Sequence, residues 1–438
     1  MRLPYTDLPT PKPPHLRAHL LAFALCLSAG LSGAHAENLA EAFEAALHSD
    51  TRLSASGRQV SAARSGLVAA KGLAQPQVAV NAGYYRLSDA PEFSVNIPPL
   101  PATTLPFAQD RGWMYGVGIS VPLYTSGRLD QAGQAADAVL AAAQLDVQRT
   151  EQDIKLDVAN AYVAVLRAQR QLALAQSGVA TLQAHALDVE RFLEQGLVAR
   201  NDMLAARSAV ANARQDEIRA STGLAIARAT YNRQLGRALD GAVSLEELTP
   251  ETPTALPGPV GLAERAELQA LTRQSEALRH QAAATRAAGR PQVALQAGFD
   301  RLQNRYLSKD GVWNVGIAMH WTLFDGAVND SQGDALAARA DALADTRSDL
   351  ESRIALQVRA AEMLVSDSHA RIDLAQVAVT QAQENLRVAR DRYQSGVGTN
   401  TEVLDAETLR IKSQANHFNA IYDNVLAQQQ LKRARGIL

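Results

Sequence analysis

The chain has 438 residues, 47% of them hydrophobic but only 5% aromatic, and alanine supplies much of the apolar share. Alanine favours helix and lets helices pack at short distance while burying little area, which argues against a conventional globular enzyme. A formal net charge of −2 excludes a basic nucleic-acid-binding surface as the main business, and the single cysteine, Cys26, excludes a disulfide framework or a structural zinc cluster.

In chain order, Arg2, Lys12 and Arg17 precede an apolar run from Leu20 to Leu31 and the small-residue site Ala34-His35-Ala36. Residues 1–36 therefore read as a secretory signal peptide. The long basic region carries Asp7, which leaves the true start codon open, and Leu25 before Cys26 argues against a lipidated cysteine. Without this leader, 40 Lys and Arg face 44 Asp and Glu, a net of −4. No later apolar run approaches about 18 residues, so no transmembrane helix is expected. The mature chain leaves the cytoplasm and either stays soluble or enters a membrane as strands.

The predicted elements then come in a fixed order. A helix spans Leu39 to Leu73, followed by a strand from Val78, a loop Ser88–Arg111 holding five prolines, and a second strand ending near Leu123. A very long helix runs over Leu129–Gln195, then a turn at Gly196 and a further helix. After the Pro-rich stretch from Thr249-Pro250 to Pro259 the order repeats. A helix covers Leu262–Ala288, two strands start at Val293 and Val315, a long helix runs over Asn329–Ser395, and a turn at Gly396 leads to a last helix.

The repetition is also written in the residues. Gln75-Pro76-Gln77-Val78-Ala79 through Leu87 recurs from Arg290-Pro291-Gln292-Val293-Ala294 through Leu302, with eight of thirteen positions identical at an offset of 215. Further on the offset is 200: Trp113 matches Trp313, Gly116 matches Gly316, and Gly196 matches Gly396. The mature protein reads as a tandem duplication, with a first repeat over 37–248 and a second over 249–438. Both long helices carry a seven-residue repeat in one register. Val158, Val165, Leu172 and Val179 are matched by Val358, Val365, Ile372 and Val379, beside small residues such as Ala161 and Ala361. Heptads alone suit an ordinary antiparallel bundle equally well.

The strands argue for a membrane. Val78, Val80, Ala82 and Tyr84 alternate with Gln77, Asn81 and Gly83, and Tyr115, Val117, Ile119, Val121 and Leu123 alternate with Gly116, Gly118 and Ser120. The later pair follows suit, with Val293, Leu295, Ala297 and Phe299, then Val315, Ile317, Met319, Trp321 and Leu323. Segments of about ten residues with one apolar face suit tilted transmembrane strands, and all three tryptophans fall in them. The rival reading, a soluble sheet packed on the helices, needs a second apolar seam that the helices lack. Four strands cannot close, and an open edge cannot face lipid. Two copies would give eight strands around a filled interior. Three would give twelve and a lumen lined by Gln77, Asn81, Ser120, Gln292, Gln296 and His320, so a cyclic trimer is favoured.

Together these features resemble the TolC-like outer-membrane efflux proteins. The resemblance covers essentially the whole mature chain. It rests on Leu39-x-x-Ala42-x-x-Ala45-Ala46-Leu47, the Pro-Gln-Val strand openings, Val121-Pro122-Leu123-Tyr124 and Leu323-Phe324-Asp325-Gly326, and the turns Gly196-Leu197-Val198-Ala199 and Gly396-Val397-Gly398-Thr399. It implies a mostly α fold with a membrane β-barrel portion. A trimeric twelve-stranded β-barrel would continue as a twelve-helix α-barrel across the periplasm. It also implies an outer-membrane exit duct of a tripartite system, working with a periplasmic adaptor and an inner-membrane pump of the RND or ABC type, with no cofactor and no catalysis.

Site residues follow from the same resemblance. Gly196, Leu197, Val198, Gly396, Val397, Gly398 and Thr399 match the tips where an adaptor docks. Glu402 and Asp405 match acidic rings at the channel entrance, where three-fold symmetry would gather carboxylates that attract cations. Asp202 and Tyr393 match contacts that hold the entrance shut; Gly398 stands where their basic partner is usual, which leaves Arg200 as a substitute. The bland reading of these acids is a solvated helix face. No phosphate-binding loop, nucleophile elbow or metalloprotease motif occurs, and His15 and His19 fall in the leader. The alternatives are a periplasmic adaptor, which normally has one hairpin flanked by small β-domains, and a structural coiled coil, which needs no alternating strands.

Overall fold

A computed structural model describes residues 36–99, 101–250 and 264–438. The leader reading over 1–36, apart from Ala36, and most of the Pro-rich stretch after Pro250 lie outside the described residues.

Helix α1 (Leu39–Ser49) opens with Asn38, whose side chain accepts from the Glu41 amide while Glu41 reaches back to the Asn38 amide. The single helix expected over Leu39–Leu73 is in fact two. Asp50 adopts an extended backbone and caps α2 (Thr51–Gly72) by accepting from the Arg52 amide at 2.7 Å. An aspartate that can cap competes with helix continuation, and here the cap wins.

Four strands make one antiparallel sheet in the order β1 (Gln77–Arg86), β4 (Arg111–Tyr124), β5 (Gln292–Leu302), β6 (Gly311–His320). Between β1 and β4 a small hairpin, β2 (Glu92–Val95) with β3 (Thr103–Pro106), occupies the loop that the sequence reading left without structure; Phe93 stacks on Phe107 across its base. The last strand is shorter than expected. It stops at His320, opposite Gln292, because Pro291 offers no amide to continue the ladder, so Trp321 and Leu323 lie beyond the strand.

Helix α3 (Arg128–Glu194) and helix α6 (Val328–Gln394) have 67 residues each, about 100 Å of helix. Each is entered through a left-handed turn at the same place in the repeat, at Ser126-Gly127 and at Gly326-Ala327. Helix α4 (Arg200–Gln234) follows α3, and α7 (Asn400–Arg435) follows α6. The shorter α5 (Ala266–Ala288) precedes β5. Helix α3 packs against α2, α4, α5 and α7, whereas α6 packs mainly on α5 and α7 and meets α3 at its far end. The heptad positions are the buried ones, among them Ile154, Val158, Ala161 and Val165, with Ile354, Ala361, Val379 and Leu386 in α6.

The waist is the best-packed region. Tyr162, Tyr231 and Tyr422 are fully buried there with Ala42 and Ala46. Tyr162 bonds the Glu37 and Glu246 carbonyls, Tyr231 donates to the Glu37 carboxylate and Tyr422 to Glu247, so each of these three phenols is satisfied. A second buried set binds Arg265, Glu267, Arg433 and Asp153, tying α5 and the end of α7 to α3.

Candidate functional site

Two regions are the candidates: the sheet and the far end of the long helices. In the sheet, register places Gln77, Ser120, Gln296 and Gly316 in one row across the four strands. Asn81, Gly116 and Asp300 form another row on the same face. Glycine at 116 leaves room for the Asp300 carboxylate, which a Cβ there would have to push aside. The opposite face holds Val78, Ile119, Ala297 and Val315 in one row and Val80, Val117, Phe299 and Trp313 in the next. This apolar face is bare: Val80 is 78% exposed, Trp313 74% and Ile317 71%. Soluble monomers rarely leave a large contiguous apolar patch in water; such patches mark protein or membrane contact sites. Among the described residues both edges of the sheet, on β1 and on β6, are unpaired. Among the described residues no helix is long and apolar enough to cross a membrane. The alternation of the strands, apolar on one face, is what suits them to lipid.

At the other end, α3 and α6 terminate in matching turns. Gly196, at φ +70°, donates to Leu193 while Leu197 donates to Phe192; Gly396, at φ +75°, donates to Tyr393 while Val397 donates to Arg392. These paired bonds need a left-handed residue after the helix, which is what glycine supplies. Leu197 and Val397 project from the two tips, 67% and 70% exposed. Beneath them Val189, Met203, Leu386, Ala389, Tyr393 and Val403 form one apolar cluster that joins both hairpins.

The outer membrane efflux protein model matches residues 42–237 and 261–436. The chain belongs to the outer membrane efflux protein family. It is 25% identical over 425 residues to the outer membrane protein TolC of Vibrio cholerae, covering 93% of this chain and 92% of that one. It is 26% identical over 305 residues to the alkaline protease secretion protein AprF of Pseudomonas aeruginosa, covering 66% and 62%. The fold superposes on the outer membrane protein VceC of Vibrio cholerae with a TM-score of 0.77 at 21% identity, covering 91% and 96%.

This efflux protein is thus an exit channel of the outer membrane, with its long helices extending into the periplasm, in a family of channels rather than enzymes. Its helical end holds the residues picked out from sequence, in distinct settings. Glu402 and Asp405 are exposed on the first turns of α7, and Glu402 lies 3.6 Å from Arg392 Nε. Thr399 caps α7 by accepting from the Glu402 amide. Tyr393 is buried, and its hydroxyl has no hydrogen-bond partner among the described residues. Burial, with Asp202 and Asp188 nearby, pushes this phenol up. Arg200 sits exposed at the start of α4.

The structure also explains Gly398. A Cβ there would lie 2.9 Å from the Tyr393 amide nitrogen and 3.0 Å from the Arg392 carbonyl carbon, so no side chain fits. The cation near Glu402 is Arg392, and sequence matching alone did not single it out. Two further residues were missed. His185 and Asn400 are both buried and lie 2.7 Å apart, Nε2 to Oδ1. The only sequence signal was a histidine on an alanine-rich helical seam facing the second turn.

Proposed function

We propose that three copies of the chain close into one duct, a twelve-stranded β-barrel in the outer membrane continued by a helical barrel in the periplasm. The observation that carries this reading is the agreement between sheet and helices. Strands run β1-β4-β5-β6, helices run α2 and α4, then α3, then α5 and α7, then α6, and each series ends on an uncovered edge. A bare strand edge in hydrocarbon costs several kcal/mol for each unpaired group, so β6 of one copy must pair with β1 of the next. Ring closure then turns the apolar face outward and leaves the row of Gln77, Ser120 and Gln296 on the lumen.

The two halves, 37–248 and 249–438, act as repeats that alternate around this ring. The exposed tips at Leu197 and Val397 serve as the docking points for a periplasmic adaptor, and an inner-membrane pump of the RND or ABC type supplies cargo. Glu402 and Asp405 ring the entrance and favour cations there. The efflux family supports a general efflux role, and the relative AprF, an alkaline protease secretion protein, supports a part in protein secretion.

Native mass of the protein extracted in detergent from separated membranes tests the reading. A species of three subunits in the outer-membrane fraction is expected. A soluble periplasmic monomer would sink it and leave an adaptor-like role.

A further inference from the structure

The ends of the two hairpins are tied by a buried chain of side-chain hydrogen bonds. Asn400, the first residue of α7 and 3% exposed, donates from Nδ2 to the backbone oxygen of Asp202 on α4 at 3.1 Å. Its Oδ1 faces Nε2 of His185 on α3 at 2.7 Å. A backbone carbonyl can only accept, so the amide nitrogen must face Asp202 and Oδ1 must accept from the imidazole. The neutral ring therefore carries its proton on Nε2. It stands edge-on to Tyr393 of α6, with centroids 5.0 Å apart. One imidazole thus touches or connects all four helices that meet at the tip. A groove of about 440 Å³, lined by Thr181, Asp188, Arg390 and Gln394, runs past the ring and gives protons a route to it.

We propose that His185 is a positioning residue for the channel entrance: its neutral imidazole, bound to Asn400, holds the α3–α4 and α6–α7 ends together, and protonation of the ring releases them. This rests on the channel reading above and adds to it a residue and a trigger.

The surroundings set the sign. On α3, Asp188 faces the ring but also lies 3.3 Å from Arg191. Helix α6 presents Arg390 and Tyr393, and Arg390 is 4.0 Å from Glu407 of α7. Helix α4 contributes Asp202 beside Tyr393. Burial acts most strongly on His185 and pulls its pKa below the ordinary imidazole value; Arg390 adds to this, while Asn400 and Asp188 oppose it. A histidine whose pKa is depressed only in the closed arrangement stabilises that arrangement above the ordinary imidazole range. The stabilisation is lost as pH falls through the lowered value.

Hydrogen exchange of the full chain in detergent, corrected for the intrinsic pH dependence of exchange, tests this between about pH 7.5 and about pH 5. Protection of the tip segments around His185 and around Asn400 should fall about fivefold on acidification, because closure then has to bury a charged ring, whereas Nε2 donates to Asn400 in either state. His185→Gln keeps an N–H donor that does not titrate, and its protection should stay high and flat. Asn400→Ala should lose protection at both pH values. Wild-type protection that ignores pH, or a His185→Gln protein that loses as much as wild type, overturns the proposal. Bilayer recordings of the same proteins separate the two claims. Conductance absent from all of them, with the exchange pattern as expected, counts against the channel and leaves the latch standing.

Discussion

Arg392 and Glu402 face each other across the turn between α6 and α7, with Nε 3.6 Å from Oε2. Both side chains are about half exposed, so the pair adds at most about 1 kcal/mol to stability. In the proposed entrance ring its consequence is electrostatic: the Glu402 carboxylate comes with a guanidinium that offsets its field.

Selectivity should therefore respond in opposite directions to the two partners. Replacing Glu402 and Asp405 together by alanine should lower cation preference and relieve block by multivalent cations in bilayer recordings. Arg392→Ala should raise cation preference, because the carboxylate is left uncompensated. If neither change moves the reversal potential, these residues do not line the entrance.

The repeat also forecasts which residues meet between copies. Within the chain, His280 of α5 bonds Gln131 of α3 at 2.8 Å, and Ala135, Ala138 and Ala142 of α3 are buried. Their counterparts on α6, Ala335, Ala338 and Ala342, are exposed, as are Ser65 on α2 and Ser331 on α6, the counterparts of His280 and Gln131. Helix α2 of a second copy fits this bare stripe. A Ser65→Cys, Ser331→Cys protein should cross-link between subunits into covalent oligomers, since disulfides need Cα atoms within about 7 Å. Trimers that form without the cross-link would show that the ring closes in another register.

Glu267 makes stability pH-dependent at the waist. Burial alone would raise its pKa, but hydrogen bonds from Arg265 and Arg433 overcome burial and hold it at about 2. A carboxylate depressed in the folded state stabilises above its unfolded pKa of 4.5, and the benefit disappears as pH falls through about 2. Glu267→Gln should cost about 2 kcal/mol near neutrality, because it also leaves Arg265 and Arg433 under-satisfied, and much less in strong acid. Melting followed by far-UV circular dichroism at both pH values checks this; an equal loss at both would mean the charge is not responsible.

Gly398→Ala should disturb the second tip alone. Its Cβ would press on the Tyr393 amide and the Arg392 carbonyl carbon, an overpacking worth about 1–3 kcal/mol. Exchange protection should fall around Tyr393 and stay unchanged in α1 and α2. Gly223→Ala, within α4 where nothing lies within 4 Å, is the control: with no overpacking it should lose no protection and at most firm its own helix.

Local pattern alone determined a good deal of this protein. Period-seven seams, period-two strands and the offsets of 215 and 200 gave the element order, the faces of the sheet and the two tip turns, because each depends on neighbours a few residues away. Where local signals compete, the tertiary structure decided. Asp50 caps a new helix instead of continuing one, and β6 ends at His320 for want of a partner beyond Gln292. The pairings of His185 with Asn400, of Arg392 with Glu402, and of Glu267 with Arg433 join residues 215, 10 and 166 positions apart in sequence. No periodicity marks the distant partners, because only the packing of four long helices brings those side chains to the same level.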